Sequence, residues 1–316
     1  MKNRLYLVCG VLLVAAVLGT VWRWWPWSPP EPVYDGKPLS YWLPRPGSAR
    51  DFQPYARLFP GPTNLLNDSR AVPILIRALN RDTWVGASWY RRWLWPRLSP
   101  RIQSHLPPPP PGNWVARHNA AVILGNMGPK AKPAVPALVR ALDEDEQDEV
   151  RDSVIMAFIN LKKWDDDGSI SRDYVPALIR CLKQANNWEI RDLAVSALGH
   201  LPKMNSAAIA ALAEAAVKDK HYIVRGHAMN CLRGVEQAYA TVMPALFAAL
   251  HDPNGEVRNQ AAYYIGRMGF TNDATIAALT GAQSDRDLTV RFAATNALWH
   301  VDPEAAAKAG VKPPPR

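Results

Sequence analysis

Six arginines recur through the later two-thirds of this 316-residue chain at nearly constant spacing. Arg117, Arg151, Arg191, Arg225, Arg258 and Arg291 stand 34, 40, 34, 33 and 33 residues apart. A period of that length marks a chain built by stacking similar units rather than by closing one core. The neighbours of each arginine repeat as well. Three residues on stand Ala120, Val154, Ala194, Ala228, Ala261 and Ala294; seven residues on stand Leu124, Phe158, Leu198, Leu232, Ile265 and Leu298. Just before five of the arginines come Val150, Ile190, Val224, Val257 and Val290. Offsets of −1, +3 and +7 share one face of a helix, so each arginine marks a helix with an apolar stripe. The small residue at +3 lets a neighbouring helix approach closely.

A second helix follows in each unit. Val135-Pro136-Ala137-Leu138-Val139-Arg140-Ala141-Leu142 aligns with Val175-Pro176-Ala177-Leu178-Ile179-Arg180-Cys181-Leu182, and Val72-Pro73-Ile74-Leu75-Ile76-Arg77-Ala78-Leu79 is an earlier copy. Proline fits the first turn of a helix, where its missing N–H has no partner within the helix. Gly125 and Gly128-Pro129 read as the break between the two helices of the first full unit. An acid completes the pattern: Asp145, Asp219, Asp252 and Asp285 each stand six residues before a repeat arginine, and Ala185 breaks the series. The spacing predicts Asp–Arg contacts between successive units. The architecture expected is all-α, a solenoid of antiparallel helix pairs with no β-sheet and with Leu198 and Leu298 buried.

The helix pairs carrying A-x-x-x-L-G, G-P and A-V-P-A-L-x-x-A-L resemble HEAT repeats, and specifically the HEAT-like repeats of phycobilisome-lyase proteins. The likeness runs over about residues 71–301, apart from one insertion. The segments 34–43 and 302–310 are similar to the leader and ending of bacterial HEAT-repeat proteins. The resemblance implies an armadillo-like α-solenoid and a scaffold; some members assist chromophore attachment. No catalytic motif of that family can be placed on residues of this chain.

Residues 5–22 form an uncharged run between Arg4 and Arg23, and Trp22, at its end, leads a cluster with Trp24, Trp25 and Trp27. Eighteen helical residues would rise about 27 Å, close to a hydrocarbon core of about 30 Å, and tryptophans gather where a span leaves the bilayer. An N-terminal transmembrane anchor is therefore expected. The alternative, a cleaved signal peptide, lacks a clear small-x-small site. The basic tip with Lys2 and Arg4 favours a cytoplasmic N-terminus in a single-pass inner-membrane protein, with the body on the exported side. The organisation expected is a tip and anchor at 1–27, a Pro-rich linker and docking segment at 28–69, a first repeat helix at 70–82, an insertion at 83–114, HEAT-like repeats at 115–301 and a capping helix and tail at 302–316.

Charge separates the two parts of the chain. The net charge is +9, yet residues 1–114 hold 14 Lys/Arg against 5 Asp/Glu, and the remainder holds 23 of each. Two places concentrate the basic excess. Arg77, Arg140 and Arg180 occupy one position in successive second helices, so stacking would line them up as a basic ridge for an anionic partner, or simply as a solvated flank. The insertion holds Trp89, Arg91, Arg92 and Trp93. Arg with Trp can seal the end of a solenoid, lie on an anionic bilayer or stack on a ligand.

Chemistry-bearing motifs are scarce. Cys181 and Cys231 lie in helices too far apart for a disulfide and read as core filler; with no C-x-x-C, a zinc site is not expected. Asp165-Asp166-Asp167-Gly168 imitates a calcium loop, but placing Gly168 at the sixth position puts Lys163 where an acid must stand, so a solvated turn is expected. The histidines form neither H-E-x-x-H nor a nucleophile arrangement. No metal, cofactor or nucleic acid is expected. The function expected is a membrane-tethered protein–protein interaction scaffold that binds a protein partner and is not an enzyme; the alternative is a lyase-like or chaperone-like enzyme loading a cofactor or chromophore onto a partner.

Overall fold

The computed structural model describes residues 31–43, 63–80, 94–103 and 114–310, save Asp166, Asp167, Pro202, Lys203, Gly234, Glu236, Gln237 and Ala309. Fifteen α-helices lie within them. Three precede the regular units: α1 (Thr63–Leu66), α2 (Val72–Asn80) and α3 (Pro100–Gln103). The arginine-bearing first helices are α4 (Trp114–Asn126), α6 (Asp148–Leu161), α8 (Trp188–Gly199), α10 (Tyr222–Leu232), α12 (Gly255–Met268) and α14 (Leu288–Val301). The second helices are α5 (Val135–Glu144), α7 (Ser171–Gln184), α9 (Ser206–Lys218), α11 (Tyr239–Ala249) and α13 (Asp273–Ala282), and α15 (Pro303–Lys308) closes against α14.

First helices pack on first helices in chain order, α4 through α14, and second helices α2, α5, α7, α9 and α11 form a parallel layer. The apolar stripe explains the stack. All six residues at +3 and all six at +7 are fully buried, Leu198 and Leu298 among them. The five at −1 are buried too, so each unit spends one continuous stripe on the interface between layers. Burying a leucine or phenylalanine completely stabilises by about 1.5–3 kcal/mol, and Phe158 adds a stack on Tyr174 with ring centroids 4.4 Å apart.

Several expectations need correction. A two-stranded hairpin, β1 (Val33–Tyr34) with β2 (Lys37–Pro38), stands where no sheet was expected. Asp35 and Gly36 both adopt positive φ, the geometry a two-residue hairpin turn demands. The hairpin lies against the repeats: Tyr34 and Leu39 are buried, and the Tyr34 hydroxyl donates to Asp68 Oδ2 at 2.9 Å. Gly125 sits inside α4 rather than in a break, and it is Gly128, at φ 61°, that turns the chain. Pro73 and Pro136 are the second residues of α2 and α5, but α7 begins at Ser171 and carries Pro176 in its interior. The ring lies on the exposed side of the helix, where water can serve the carbonyl that loses its donor.

The single-pass inner-membrane localisation is overturned. Among the described residues no helix is long and apolar enough to cross a membrane. The longest, such as α6 and α12, have 14 residues, which rise about 21 Å against a hydrocarbon core of about 30 Å. The run at 5–22 on which that expectation rested lies outside the described residues.

Candidate functional site: the charged rows of the solenoid

Four of the six repeat arginines form the rungs of a ladder, which is interrupted at Arg151. Arg117 Nε donates to Asp145 Oδ2 at 2.5 Å, Arg191 Nε to Asp219 at 2.7 Å, Arg225 Nε to Asp252 at 2.6 Å and Arg258 Nε to Asp285 at 2.7 Å. In each pair Nη2 takes the other carboxylate oxygen, giving the fork geometry of a strong Arg–carboxylate bond. The aspartate belongs to the turn before the next first helix, so each bond ties one unit to the next, as the spacing predicts. The remaining Nη1 reaches back to the carbonyl six residues before its own arginine: Arg225 to Asp219 O, Arg258 to Asp252 O and Arg291 to Asp285 O, each at 2.8 Å. The same aspartates also accept backbone N–H bonds two residues on, as Asp219 does from His221 and Asp252 from Asn254. Burial pushes the Asp219 carboxyl up, but hydrogen bonds from Arg191 and the His221 N–H outweigh it and hold the group below the usual carboxylate range. The Arg258 bonds hold Asp285 down likewise. This is structural work, and it absorbs the most conspicuous charges of the chain.

The row of second-helix arginines is not uniform. Arg77 on α2 and Arg140 on α5 are exposed, and neither has a carboxylate within ion-pair distance among the described residues. Arg180 is different, and the expectation of an unbroken basic ridge fails there. Its Nη2 lies 2.5 Å from Asp143 Oδ2, three residues past Arg140 on α5. One unit further the signs invert: Lys183 Nζ lies 2.7 Å from Glu214 Oε2, and Glu214 holds the place equivalent to Arg180. The basic surface therefore narrows to α2 and α5. Trp89, Arg91, Arg92 and Trp93 lie outside the described residues.

Asp165 departs from its expected role. It is buried, with one oxygen accepting from Ile170 N and the other from Ser171 N, each at 2.7 Å, so it caps the start of α7. A buried carboxylate caps helix N–H groups well, but sequence alone does not tell a capping aspartate from a solvated one. Cys181 and Cys231 are both thiols; burial pushes Cys181 up to about 11, out of reach of easy ionisation.

One concave feature had no signal in the sequence. Between α10 and α12 lies a groove of about 370 Å³ lined by Tyr222, Ile223, Gly226, His227, Gln260 and Tyr264. His227 Nδ1 lies 2.8 Å from Asp192 Oδ1 of α8. That bond, then one to Cys231, lifts the imidazole to about 10, so at neutral pH a cation and an anion neutralise each other beside the groove. Asp192 and His227 stand at +1 and +2 from successive repeat arginines, a spacing that names no contact until the helices are stacked.

With that geometry in place, likenesses to known proteins can be set beside it. The family model described as HEAT repeats matches residues 161–233 and 209–299, and the one described as PBS lyase HEAT-like repeat matches residues 116–144. No curated protein matches the chain in sequence. Among solved structures, a designed armadillo repeat protein in complex with the peptide (KR)4 is 19% identical, covers 75% of this chain and 98% of its own, and has a TM-score of 0.43. An engineered protein at 18% identity covers 78% of this chain and 66% of its own, with a TM-score of 0.44. Human deoxyhypusine hydroxylase in complex with glycerol, at 21% identity, covers 75% and 76%, with a TM-score of 0.35. Likenesses this remote say nothing of ligand or activity. The matches and the stacked helix pairs show that residues 116–144 and 161–299 are built of HEAT-type repeats, the first of them of the PBS-lyase-like kind.

Proposed function

We propose that this protein is a non-catalytic scaffold that binds a protein partner, and that an acidic face of that partner seats on the second-helix layer at Arg77 and Arg140. The observation that supports the reading is the contrast within one row. Arg180, the third member, is neutralised by Asp143, whereas Arg77 and Arg140 keep their charge toward solvent on neighbouring helices. A solenoid binds through many modest contacts, one row per unit, and a pair of exposed cations on adjacent units supplies electrostatic steering rather than a pocket. His227, whose imidazole the fold lifts to about 10, is held by Asp192 of the neighbouring unit, and the ladder arginines and aspartates hold one another across units, which favours a structural over a catalytic role for them.

The test is a charge reversal confined to the two exposed positions. Arg77→Glu with Arg140→Glu should weaken crosslinking and affinity capture of the partner by about tenfold or more, and wild-type capture should weaken as salt rises. Circular dichroism and the denaturation midpoint should stay at wild-type values, because both side chains are exposed and neither is paired among the described residues. Arg180 is left intact, since a glutamate there would face Asp143 and loosen the stack. Full capture by the double variant would sink the assignment of this surface. A preparation that carries a bound chromophore, or transfers one to a partner, would replace the scaffold reading with the lyase-like one.

A further inference from the structure

The last first helix presents to solvent a face that every earlier one uses to hold its successor. Position −3 from the repeat arginine meets position −4 of the next unit. Asp148 accepts from Asn187 at 3.0 Å, Trp188 stacks on His221 at 4.1 Å, and a side chain on Gly255 would strike Asp287. Position +1 also faces the next unit: His118 contacts Glu149 O, Asp192 pairs with His227, and Asn259 donates to Thr289 O. In α14 these two positions are Leu288 and Phe292, and they are 70% and 56% exposed. They stand four residues apart, on one side of the helix. α15 packs on α14 and buries Ala306, yet it leaves both side chains open.

Between them stands Arg291, already posed for a ligand. Its Nη1 donates to Asp285 O at 2.8 Å and Arg286 O at 3.1 Å. Arg191 and Arg258 make the same two backbone bonds one and two residues into their own turns. In those arginines the pose aims Nε and Nη2 at the aspartate of the following unit. In Arg291 those two donors have no acceptor among the described residues.

We infer that Leu288, Arg291 and Phe292 form a docking face for an acidic peptide segment of a partner protein, one in which an aspartate precedes a helical turn with apolar side chains. The two-pronged Arg–carboxylate bond is that of the internal ladder, while Leu288 and Phe292 put apolar side chains where the inner units make mainly polar contacts. A second copy of this chain docked face to face would set Arg291 against Arg291, and like charges oppose that arrangement. The face lies on the last repeat, away from Arg77 and Arg140, so it adds a second contact to the scaffold and stands or falls separately from the first.

The probe is a synthetic peptide with the sequence of residues 252–268, whose aspartate is the one Arg225 grips inside the protein. Calorimetric titration into the full chain should show saturable binding. The peptide bearing Asp252→Asn should bind about tenfold more weakly or worse, the size of a lost charge-assisted bond. The protein variants Arg291→Gln and Leu288→Ser/Phe292→Ser should show the same loss, whereas Arg77→Glu/Arg140→Glu should bind as wild type. The Leu288→Ser/Phe292→Ser protein alters only exposed side chains, which keeps the test valid if Arg291→Gln unfolds. Absence of binding, or equal binding by the wild-type and serine variants, would overturn the inference. Sedimentation showing a wild-type dimer that the serine variant abolishes would instead assign the face to a second copy and overturn the acidic-segment assignment.

Discussion

Ala185 holds the place where four other turns carry aspartate, and the consequence is visible one unit away. Arg151 makes only a 3.8 Å contact with Asp148, and its buried Nε has no acceptor among the described residues. The backbone at Ala185, φ −63° and ψ 131°, lies in the same extended region as Asp145, φ −70° and ψ 137°, and Asp219, φ −61° and ψ 140°. An aspartate placed there needs no backbone change to reach the orphaned guanidinium. Ala185→Asp should therefore raise stability by about 1 kcal/mol, read as a higher denaturant midpoint; a lower midpoint would show that Arg151 cannot swing into the ladder. His227 makes a second residue-level case. Its folded-state value near 10 lies above about 6.5 for an unfolded histidine. The bond to Asp192 thus stabilises fully below about pH 6.5 and is lost as pH rises toward 10. Both side chains are about a quarter exposed, so solvent screening keeps the gain to about 1 kcal/mol. The stability gap between wild type and His227→Gln should be widest near pH 6 and close by pH 10; a gap independent of pH would mean the imidazole is neutral throughout.

Among helices, the closest backbone approaches are made by glycines late in the first helices. A Cβ on Gly125 would fall 2.6 Å from Ala157 Cα, and one on Gly266 would fall 2.7 Å from Ala297 Cα. In both the obstacle is the backbone of the next first helix, which cannot swing aside as a side chain can. At Gly199 the obstacle is the Cys231 side chain instead, 2.2 Å from the Sγ. The cysteine occupies space next to a glycine, a packing role that needs no reactivity. Gly125→Val should cost about 2–3 kcal/mol through overpacking, measured by equilibrium unfolding. A cost below about 0.5 kcal/mol, the level of ordinary surface changes, would mean the α4–α6 spacing is slack.

At the scale of the molecule, the ladder makes the stack more than a sum of units. Arg225 and Asp252 are both nearly buried and bind in two prongs, and Asp252 O also receives Arg258. Removing the Asp252 carboxylate strips the buried Arg225 guanidinium of its two-pronged counter-charge at that joint. Asp252→Ala should cost about 3–5 kcal/mol. In a chain whose units stabilise only their neighbours, the loss should also split unfolding into two transitions about that joint. Hydrogen exchange on either side of α12 would report it. A single cooperative transition with a cost under 1 kcal/mol would show that apolar packing alone couples the units. The open end at Leu288, Arg291 and Phe292 is the same device left without its counterpart.

The sequence by itself determined the period, the buried stripe and the Asp–Arg pairing. These are rules of one helix and one repeated turn: offsets of −1, +3 and +7 fix a face wherever a helix forms, and six identical registers leave one way to stack. Only tertiary structure decided which of the aligned arginines meets a carboxylate. Arg180 meets an aspartate 37 residues away, and that meeting depends on how α5 and α7 slide past each other, a displacement no local spacing encodes. Gly125 looked like a helix break because glycine is both a turn former and the only residue that admits a touching backbone; the neighbouring helix settles which use applies. Leu288 and Phe292 stand at offsets where earlier units carry Asp148, Trp188 and Gly255 or His118, Asp192 and Asn259, and their exposure follows from the packing between units, which no local spacing reveals.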